Sequence, residues 1–216
     1  MGGAGREHVS AYVVGLTGPM GAGKSTVAQM LRELGAKVLD ADAVAHQEQS
    51  RGTVGYSAIV QRFGTKVLGE DKEIDRAKLA AEVFADPLKL DQLERILHPR
   101  VIARVLEARS MVPNGTVLVV EAIKLLESSL RSACNEVWVV VAPSDTLIDR
   151  LAGRGVPRAE AEARLRHQRD EAAFRAAADV VIENAGDREA TRSHVRAAFE
   201  RARAKAGPGS SRAAGS

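Results

Sequence analysis

A glycine-rich stretch near the N-terminus, GLTGPMGAGKSTVAQML at residues 15–31, constrains the fold more than any other feature. It follows an apolar run and precedes a segment with helical periodicity. The spacing Gly18-x-x-x-x-Gly23-Lys24-Ser25 is the pattern of a phosphate-binding loop. The alternative is a plain strand-to-helix turn with an incidental lysine, and the flanking patterns favour the phosphate-binding interpretation.

Each residue type in this loop has a chemical reason. Glycines let successive backbone N–H groups turn inward around an anion, where a Cβ would obstruct the approach. The helix that begins near Lys24 aims the positive end of its dipole at the same place. Lys24 can reach the β- and γ-phosphates of a nucleotide, and the Ser25 hydroxyl can bind Mg²⁺. We therefore predict a nucleotide site.

Five short runs rich in β-branched residues predict the strands of a parallel sheet. Most are continuous apolar runs, typical of strands that are covered on both faces. Helical patterns separate them, which indicates an α/β layered fold. The predicted strands are residues 11–17, 36–40, 116–122, 136–142 and 179–184.

A long, purely helical insert is predicted between the second and third strands, and its size indicates a subdomain. Asp75 is the expected N-cap of a helix over 75–84, and Asp86 before Pro87 is expected to open the next helix. Pro99 should break or kink that helix, with a new helix from Val101 to Ser110.

The segment after the fourth strand is dense in arginine and alanine and predicts a weakly packed helical flap up to residue 178. Ser144 is expected to cap the helix that carries Arg150. Trp138, in the middle of a strand, is expected in the core. Cys134 is expected to be an ordinary loop or strand-edge residue.

Composition bounds the class of protein. The 216 residues are 45% hydrophobic and 27% charged, which is typical of a globular domain with appendages. No apolar run approaches the roughly 20 residues that span a bilayer, and no signal peptide is recognisable. A single cysteine cannot form an internal disulfide, which fits a reducing compartment. We expect a cytoplasmic protein without a membrane partner.

The net charge of +3 lies in the C-terminal tail. Residues 200–216 hold four basic residues against one acidic residue, a balance that equals the net charge of the whole chain. A basic tail rich in Gly, Ser and Ala predicts disorder and not a nucleic-acid-binding face. Residues 1–9 and 205–216 are expected to be disordered, and no nucleic-acid partner is expected.

Two aspartates follow the second predicted strand in VLDADAVAHQ. Ligands of open α/β sheets collect at the carboxyl ends of the strands. If Asp40 and Asp42 both continue the strand, their side chains point to one face and lie beside the phosphates. A helix N-cap or a solvated strand end is the alternative, and the pattern leaves both open.

Together these motifs resemble the dephospho-CoA kinase family, in order over about residues 12–186. The resemblance implies a P-loop three-layer α/β/α fold with a five-stranded parallel sheet, a helical substrate-binding insert and a helical lid. It also implies ATP-dependent phosphorylation of the ribose 3′-hydroxyl of dephospho-CoA, with Mg²⁺, by a monomer or weak homo-oligomer. The motifs are GLTGPMGAGKSTVA, VLDADAVAH, FG at 63–64, IDRAKLAAEVFAD, LERILHPRV, LLE at 125–127, RLAGRG to RLRHQ and ADVVIENAG.

The resemblance divides one kinase domain, residues 10–204, into three parts. The core covers 10–42, 112–149 and 179–204. An acceptor-binding insert covers 43–111, and a lid covers 150–178.

The resemblance also implies roles for individual residues. Asp42 orients or deprotonates the attacking hydroxyl, and Asp40 holds a Mg²⁺-bound water or positions the substrate. His98, as a residue that ends its helix, either caps that helix or contacts the acceptor. The implied ATP-binding residues are Gly21, Ala22, Gly23, Lys24, Ser25 and Thr26 in the loop, with Asn184 at the adenine.

The implied lid residues are two pairs of polar side chains. Arg150 and Arg154, one helical turn apart, are expected to face the transferring phosphoryl group, where planar guanidinium groups suit phosphate oxygens. Arg164 and Gln168, again four residues apart, are expected to contact the substrate.

The chain departs from the family pattern at two places. EAIKLLE stands where the family usually has Asp-Val-Pro-Leu-Leu, so that Glu121 replaces the aspartate. Lys124 there either contacts an anionic substrate or is a solvated loop charge. Pro19 and Met20 stand where the family commonly has Gly-Ile, with little expected consequence. Another small-molecule kinase or a regulatory P-loop NTPase remains the alternative function.

Overall fold

A computed structural model describes residues 11–207 of the chain. They form two compact units. One comprises the residues up to 39 and those from 107 onward, and the other comprises residues 40–106. The predicted disorder of residues 1–9 and of the end of the tail lies outside the described residues.

The sheet follows the predicted runs closely. Its five strands are arranged in the order β2-β3-β1-β4-β5, and β1 pairs in parallel with both β3 and β4, as β4 does with β5. The predicted α/β class with a five-stranded parallel sheet is confirmed. The strands are β1 (Tyr12–Thr17), β2 (Lys37–Asp40), β3 (Val117–Glu121), β4 (Glu136–Val141) and β5 (Val180–Glu183).

Helices connect the strands and form most of the second unit. Short 3₁₀ turns at Thr65–Val67, Leu125–Glu127 and Ser129–Ala133 complete the fold. Among residues 11–207, none of the helices has the length and apolarity that a membrane span requires. The helices are α1 (Lys24–Glu33), α2 (Ala41–Gln47), α3 (Val54–Phe63), α4 (Arg76–Phe84), α5 (Pro87–Met111), α6 (Ser144–Ala152), α7 (Arg158–Arg166), α8 (Glu171–Ala176) and α9 (Arg188–Ala206).

The core of the first unit explains why the strands are continuous apolar runs. All six residues of β4 are buried, and Trp138 is fully buried as predicted. Apolar side chains of α1 and α9 pack against the sheet in one cluster. Cys134 is partly buried, and burial raises the pKa of its thiol to about 11, so it remains a protonated packing residue.

Local sequence chemistry sets the ends of several helices. Gly35 follows the last turn of α1 with φ of 99°, where its N–H bonds to the Arg32 carbonyl and the Ala36 N–H bonds to the Leu31 carbonyl. This is a Schellman motif. The predicted N-cap at Asp75 is confirmed, because its carboxylate accepts from the N–H groups of Ala77 and Lys78.

The predicted break of the helix at Pro99 was wrong. α5 runs without interruption from Pro87 to Met111, so no separate helix begins at Val101, and His98 does not end a helix. Proline removes one backbone hydrogen bond and crowds the preceding turn. Leu97 and Val101 are nevertheless buried on either side of Pro99, and this packing keeps the chain helical across it.

The second unit has its own core, built from buried side chains of α3, the first 3₁₀ turn, α4 and α5. Ile59 of α3 lies within it. Leu68 and Ile74 form an isolated antiparallel bridge, so this unit is not purely helical as predicted. Glu82 of α4 pairs with Lys66 and Lys89, which lowers its pKa to about 2.

Two further boundaries differ from their predictions. Ser144 does not cap α6 but is its first residue, after Pro143, since no side chain caps this helix. The tail was predicted to be disordered from residue 205, but α9 continues to Ala206. Burial of Ala206 and an ion pair between Lys205 and Glu136 stabilise this last turn.

Glu136 joins the amino-terminal ends of the strands to the end of α9. Burial raises the pKa of its carboxyl, but hydrogen bonds from Lys205, Trp138 and Tyr12 outweigh burial and leave the pKa below its ordinary value. The Trp138 Nε1 donates to it at 2.9 Å. Burial, and then the neighbouring Glu136, raise the pKa of Tyr12 to about 12, so the phenol remains a donor.

The lowered pKa of Glu136 predicts a stability change in acid. Its stabilising effect is complete above the ordinary glutamate pKa and is lost as the pH falls through the lowered pKa of the folded state. Glu136→Gln should reduce the free energy of unfolding at pH 7 by about 1 kcal/mol. The free energy of unfolding should also fall less steeply in this variant between pH 5 and pH 3, roughly the titration range of glutamate.

Urea unfolding across that pH range measures the effect. Glu200→Gln is the matched control, because Glu200 is exposed and lies 4.0 Å from Arg203. Identical pH profiles for the Glu136 variant and the wild type would contradict the assignment.

Candidate active site

The glycine loop joins β1 to α1 in the conformation that its sequence predicts. Gly21 and Gly23 have φ of 83° and 91°, which other residues rarely adopt. The Ala22 N–H bonds to the Pro19 carbonyl at 3.2 Å and closes the loop. Gly23 is the N-cap of α1 and offers no side-chain acceptor, so no N-cap side chain binds the first N–H groups of the helix.

Lys24 folds back over the loop. Its Nζ donates to the carbonyl of Gly18 at 2.9 Å and to that of Pro19 at 3.1 Å. The ammonium group therefore lies beside the first residues of the loop. Together with the end of the α1 dipole, it places positive charge at the loop, which suits a phosphate chain.

Hydrogen bonds among four residues hold the loop through its Ala22 carbonyl. We call these residues the Ala22 cluster: Ala22, Arg150, Asn184 and Thr191. The Ala22 carbonyl accepts from Asn184 Nδ2 at 2.7 Å and from Arg150 Nη1 at 3.3 Å. Arg150 Nη2 donates to the Asn184 carbonyl at 2.9 Å. The Thr191 hydroxyl bonds to Asn184 Oδ1 at 3.3 Å, so the buried amide has partners for both of its ends.

The same asparagine explains why position 23 must be glycine. A Cβ on Gly23 would lie 2.2 Å from Asn184 Nδ2. Similarly, a Cβ on Gly18 would lie 2.2 Å from the Val140 carbonyl oxygen. The glycines are therefore required both by the turned backbone and by the close approach of β4 and of the chain after β5.

The two lid arginines lie in different local structures. α6 ends at Ala152, and the exposed Arg154 lies in the following turn, where its N–H bonds to the Leu151 carbonyl at 3.0 Å. Arg150 therefore lies within α6, whereas Arg154 lies in the turn that follows it. Gly155, with φ of 84°, ends this turn, and Gly153 keeps a right-handed helical conformation.

The residues of the second lid pair have different partners. α7 ends at Arg166, so Gln168 lies beyond the helix. Arg164 is exposed and pairs with Glu160 on its own helix. Gln168 instead accepts the backbone N–H of Met20, at the apex of the glycine loop, with its Oε1 at 3.0 Å.

Asp40 and Asp42 do not continue one strand. β2 ends at Asp40, whose carboxylate accepts from the Ala43 N–H at 2.9 Å and caps α2. Asp42 lies in the first turn of α2. The N-cap alternative is therefore correct for Asp40. Both residues belong to the unit of residues 40–106, as does His98, which lies within α5.

Ser25 and Thr26 lie exposed in the first turn of α1, directly after Lys24. Residues 11–207 contain no group of three or more His, Cys, Asp or Glu side chains that could hold a metal ion. A Mg²⁺ ion held by one hydroxyl, phosphate oxygens and water needs no such group. The exposed Ser25 hydroxyl fits this type of site.

Two contact residues of the loop were not predicted. Met20, noted only as a departure from the family pattern, packs against the buried cluster of Ile148, Leu151 and Ala161 in α6 and α7. Thr191 orients Asn184 from α9. A methionine at the apex of a polar loop indicates that its apolar side chain packs against another part of the protein, and this sequence signal could have identified Met20. No sequence pattern indicated the contact of Thr191.

Comparison with known proteins decides the family. A profile described as dephospho-CoA kinase matches residues 12–189. The chain belongs to the dephospho-CoA kinase family. The dephospho-CoA kinase of Thermobifida fusca is 40% identical over 188 residues, which cover 87% of this chain and 94% of that protein. The dephospho-CoA kinase of Symbiobacterium thermophilum is 43% identical over 209 residues, which cover 94% of this chain and 86% of that protein.

Solved structures agree with this assignment. The dephospho-CoA kinase of Campylobacter jejuni superposes with a TM-score of 0.67 at 25% identity and covers 89% of this chain and 98% of its own. The Thermus thermophilus protein TT1252 gives a TM-score of 0.78 at 32% identity, with coverages of 88% and 97%. The predicted family, and with it the assignment as an ATP-dependent phosphotransferase of this type, is confirmed.

The departure from the family pattern after β3 is anchored to the neighbouring strand. β3 ends at Glu121, and the exposed Ile123 follows. The Thr17 hydroxyl, at the end of β1, donates to the Ile123 carbonyl at 3.2 Å. This bond uses the backbone of Ile123, so it does not require the usual proline of the dephospho-CoA kinase family.

Gly23→Ala should abolish ATP binding at concentrations that saturate the wild type, because the new Cβ collides with Asn184 and displaces the loop. Gly35→Ala is the matched control: Gly35 also has positive φ, but a Cβ there meets nothing within 4 Å. It should cost about 1 kcal/mol of stability and leave ATP binding unchanged. Calorimetric titration measures both variants, and ATP binding by Gly23→Ala would contradict the geometry.

Proposed function

We propose that this chain transfers the γ-phosphoryl group of ATP to the ribose 3′-hydroxyl of dephospho-CoA and releases CoA and ADP, the last step of CoA biosynthesis. The observation that carries the proposal is the glycine loop, fixed by the Ala22 cluster in a phosphate-binding conformation, within a chain of the dephospho-CoA kinase family. Phosphoryl transfer needs mainly positioning and charge neutralisation from a protein.

The loop binds the ATP phosphates in this proposal. Backbone N–H groups between Gly21 and Thr26 surround the phosphate oxygens. The Lys24 side chain moves from the loop carbonyls and binds the β- and γ-phosphates. The Ser25 hydroxyl would hold Mg²⁺, and the ion would neutralise phosphate charge. Asn184 and its backbone neighbours border the adenine.

Arg150 supports the phosphoryl transfer by placing positive charge beside the loop. Its guanidinium already joins the Ala22 and Asn184 carbonyls, so its positive charge lies close to the bound phosphates. Arg154, exposed in the turn after α6, supplies the mobile positive charge when the lid covers the site. The lid of residues 150–178 excludes water from the transfer.

The unit of residues 40–106 receives dephospho-CoA. Asp42 orients or deprotonates the attacking 3′-hydroxyl. Asp40 caps α2 and so positions Asp42, which lies in the first turn of that helix. His98 and Arg164 contribute to substrate binding, and Gln168 contacts the glycine loop at Met20. The separate apolar core of this unit supports its function as an acceptor-binding body.

We also propose that the enzyme acts in the cytoplasm as a monomer or weak homo-oligomer, without nucleic acid. The single cysteine and the concentration of net positive charge in the tail support this proposal.

Coupled ADP release with Mg-ATP, with and without dephospho-CoA, tests the proposed function. ADP release that depends on dephospho-CoA, with a gain of one phosphate on that acceptor by mass analysis, is the expected result. ADP release at the same rate without the acceptor would support a regulatory NTPase. Stimulation by another nucleoside or nucleotide alone would indicate a different small-molecule kinase.

Asp42→Asn should lower kcat by about 10²- to 10⁴-fold and leave the Kd for ATP unchanged, because the carboxylate acts on the acceptor hydroxyl. Asp145→Asn is the matched control, since this exposed aspartate of α6 makes only a 3.9 Å pair with Arg158. Unchanged turnover in Asp42→Asn would remove Asp42 from the mechanism.

A further inference from the structure

Met20 connects the apex of the glycine loop to the lid through two different contacts. Its N–H donates to Gln168 Oε1 at 3.0 Å, and its side chain packs against a buried apolar cluster of α6 and α7 that includes Leu151 and Ala161. One contact is directional and the other is not. Together they define both the position and the orientation of the apex relative to these helices.

The turn between α7 and α8 is held at three successive residues. Gln168 bonds to Met20, Arg169 forms an ion pair with Glu127 after β3, and Asp170 caps α8 by accepting the Ala173 N–H at 2.7 Å. The exposed ion pair contributes little energy by itself. The turn is nevertheless joined to the glycine loop at Gln168, to the segment after β3 at Arg169 and to α8 at Asp170.

The Gln168 contact lies at the border of a cavity and not within tight packing. The cavity, of about 230 Å³, lies at the carboxyl end of β4 and is lined by Pro19, Ala142, Ser144, Leu147, Leu165 and Gln168 among others. In such a place, apolar contacts alone do not define the distance between loop and lid. The hydrogen bond from Met20 to Gln168 supplies that definition.

We propose that Gln168 is a positioning residue: by accepting the Met20 N–H it sets the lid turn against the apex of the phosphate loop. This inference rests on the proposed kinase function and assigns Gln168 an indirect role within it. The Gln168 oxygen acts on the loop, and the loop acts on the phosphates. Loss of the Gln168 oxygen therefore loosens the contact between the lid turn and the loop without removing a ligand of ATP.

Two substitutions separate this role from direct substrate contact. Gln168→Met keeps the length of the side chain and removes the acceptor, whereas Gln168→Glu keeps an acceptor oxygen and removes the amide donors. Arg166→Gln controls for charge, because it makes the same change of one negative unit on an exposed residue of the same segment.

Amide hydrogen exchange at Met20, measured without nucleotide, tests the contact itself. Exchange should accelerate about fivefold or more in Gln168→Met and remain near the wild-type rate in Gln168→Glu and Arg166→Gln. An unchanged Met20 exchange rate in Gln168→Met would overturn the proposal, whatever the activity. This exchange rate is measured without dephospho-CoA. A failure of the proposed kinase function would therefore not affect it.

Steady-state kinetics with Mg-ATP and dephospho-CoA tests the consequence. Gln168→Met should lower kcat about fivefold with a smaller change in the KM for dephospho-CoA, and Gln168→Glu should match the charge control. Equal losses in the Met and Glu variants, with a raised KM for dephospho-CoA, would show that the amide contacts the acceptor directly and would overturn the positioning role.

Discussion

The hydrogen bond from the buried Asn184 amide to the Ala22 carbonyl is the contact on which the phosphate site depends. It fixes the loop from the chain segment after β5, and Arg150 of α6 reinforces it through the same carbonyl. It also explains a requirement of the sequence, since the amide occupies the space where a Cβ on Gly23 would lie. The cradle for an anion is thus set by neighbours and not by the loop alone.

This arrangement matters because electrostatic stabilisation works best with groups that are already in place. Reorganising dipoles at the moment of reaction costs energy that a fixed loop avoids. Lys24, the α1 amino end and Arg150 all direct positive charge to one region of the first unit. At the amino-terminal ends of the strands, Glu136 joins β4 to α9, and the two networks leave little freedom to the strands that carry the loop.

Local chemistry made much of the fold predictable. The five strands, the start of α1 at Lys24, the glycine after that helix and the cap at Asp75 all follow from short patterns whose physical cause lies within a few residues. α5 differs, because packing of distant side chains keeps it helical through Pro99. The extension of α9 to Ala206 likewise depends on Glu136, which lies 69 residues away from its partner Lys205.

The candidate site was predictable in composition but not in arrangement. The loop residues follow from the glycine spacing, whereas a spacing of four residues does not show where a helix ends. Arg154 and Gln168 each lie in the turn that follows α6 or α7. The partners that Arg150 and Gln168 actually have, Ala22 and Met20, lie more than a hundred residues away along the chain, beyond the reach of any local pattern.

The most direct test of this account is the Kd of inorganic tripolyphosphate for Asn184→Ala. This probe has no adenine, so it reports on the cradle alone. Asn135→Ala is the control, because it also removes an asparagine bond to backbone, at the amino end of β1. We predict binding about fivefold weaker in Asn184→Ala and unchanged in Asn135→Ala. Unchanged binding in Asn184→Ala would show that the loop holds its shape without the asparagine.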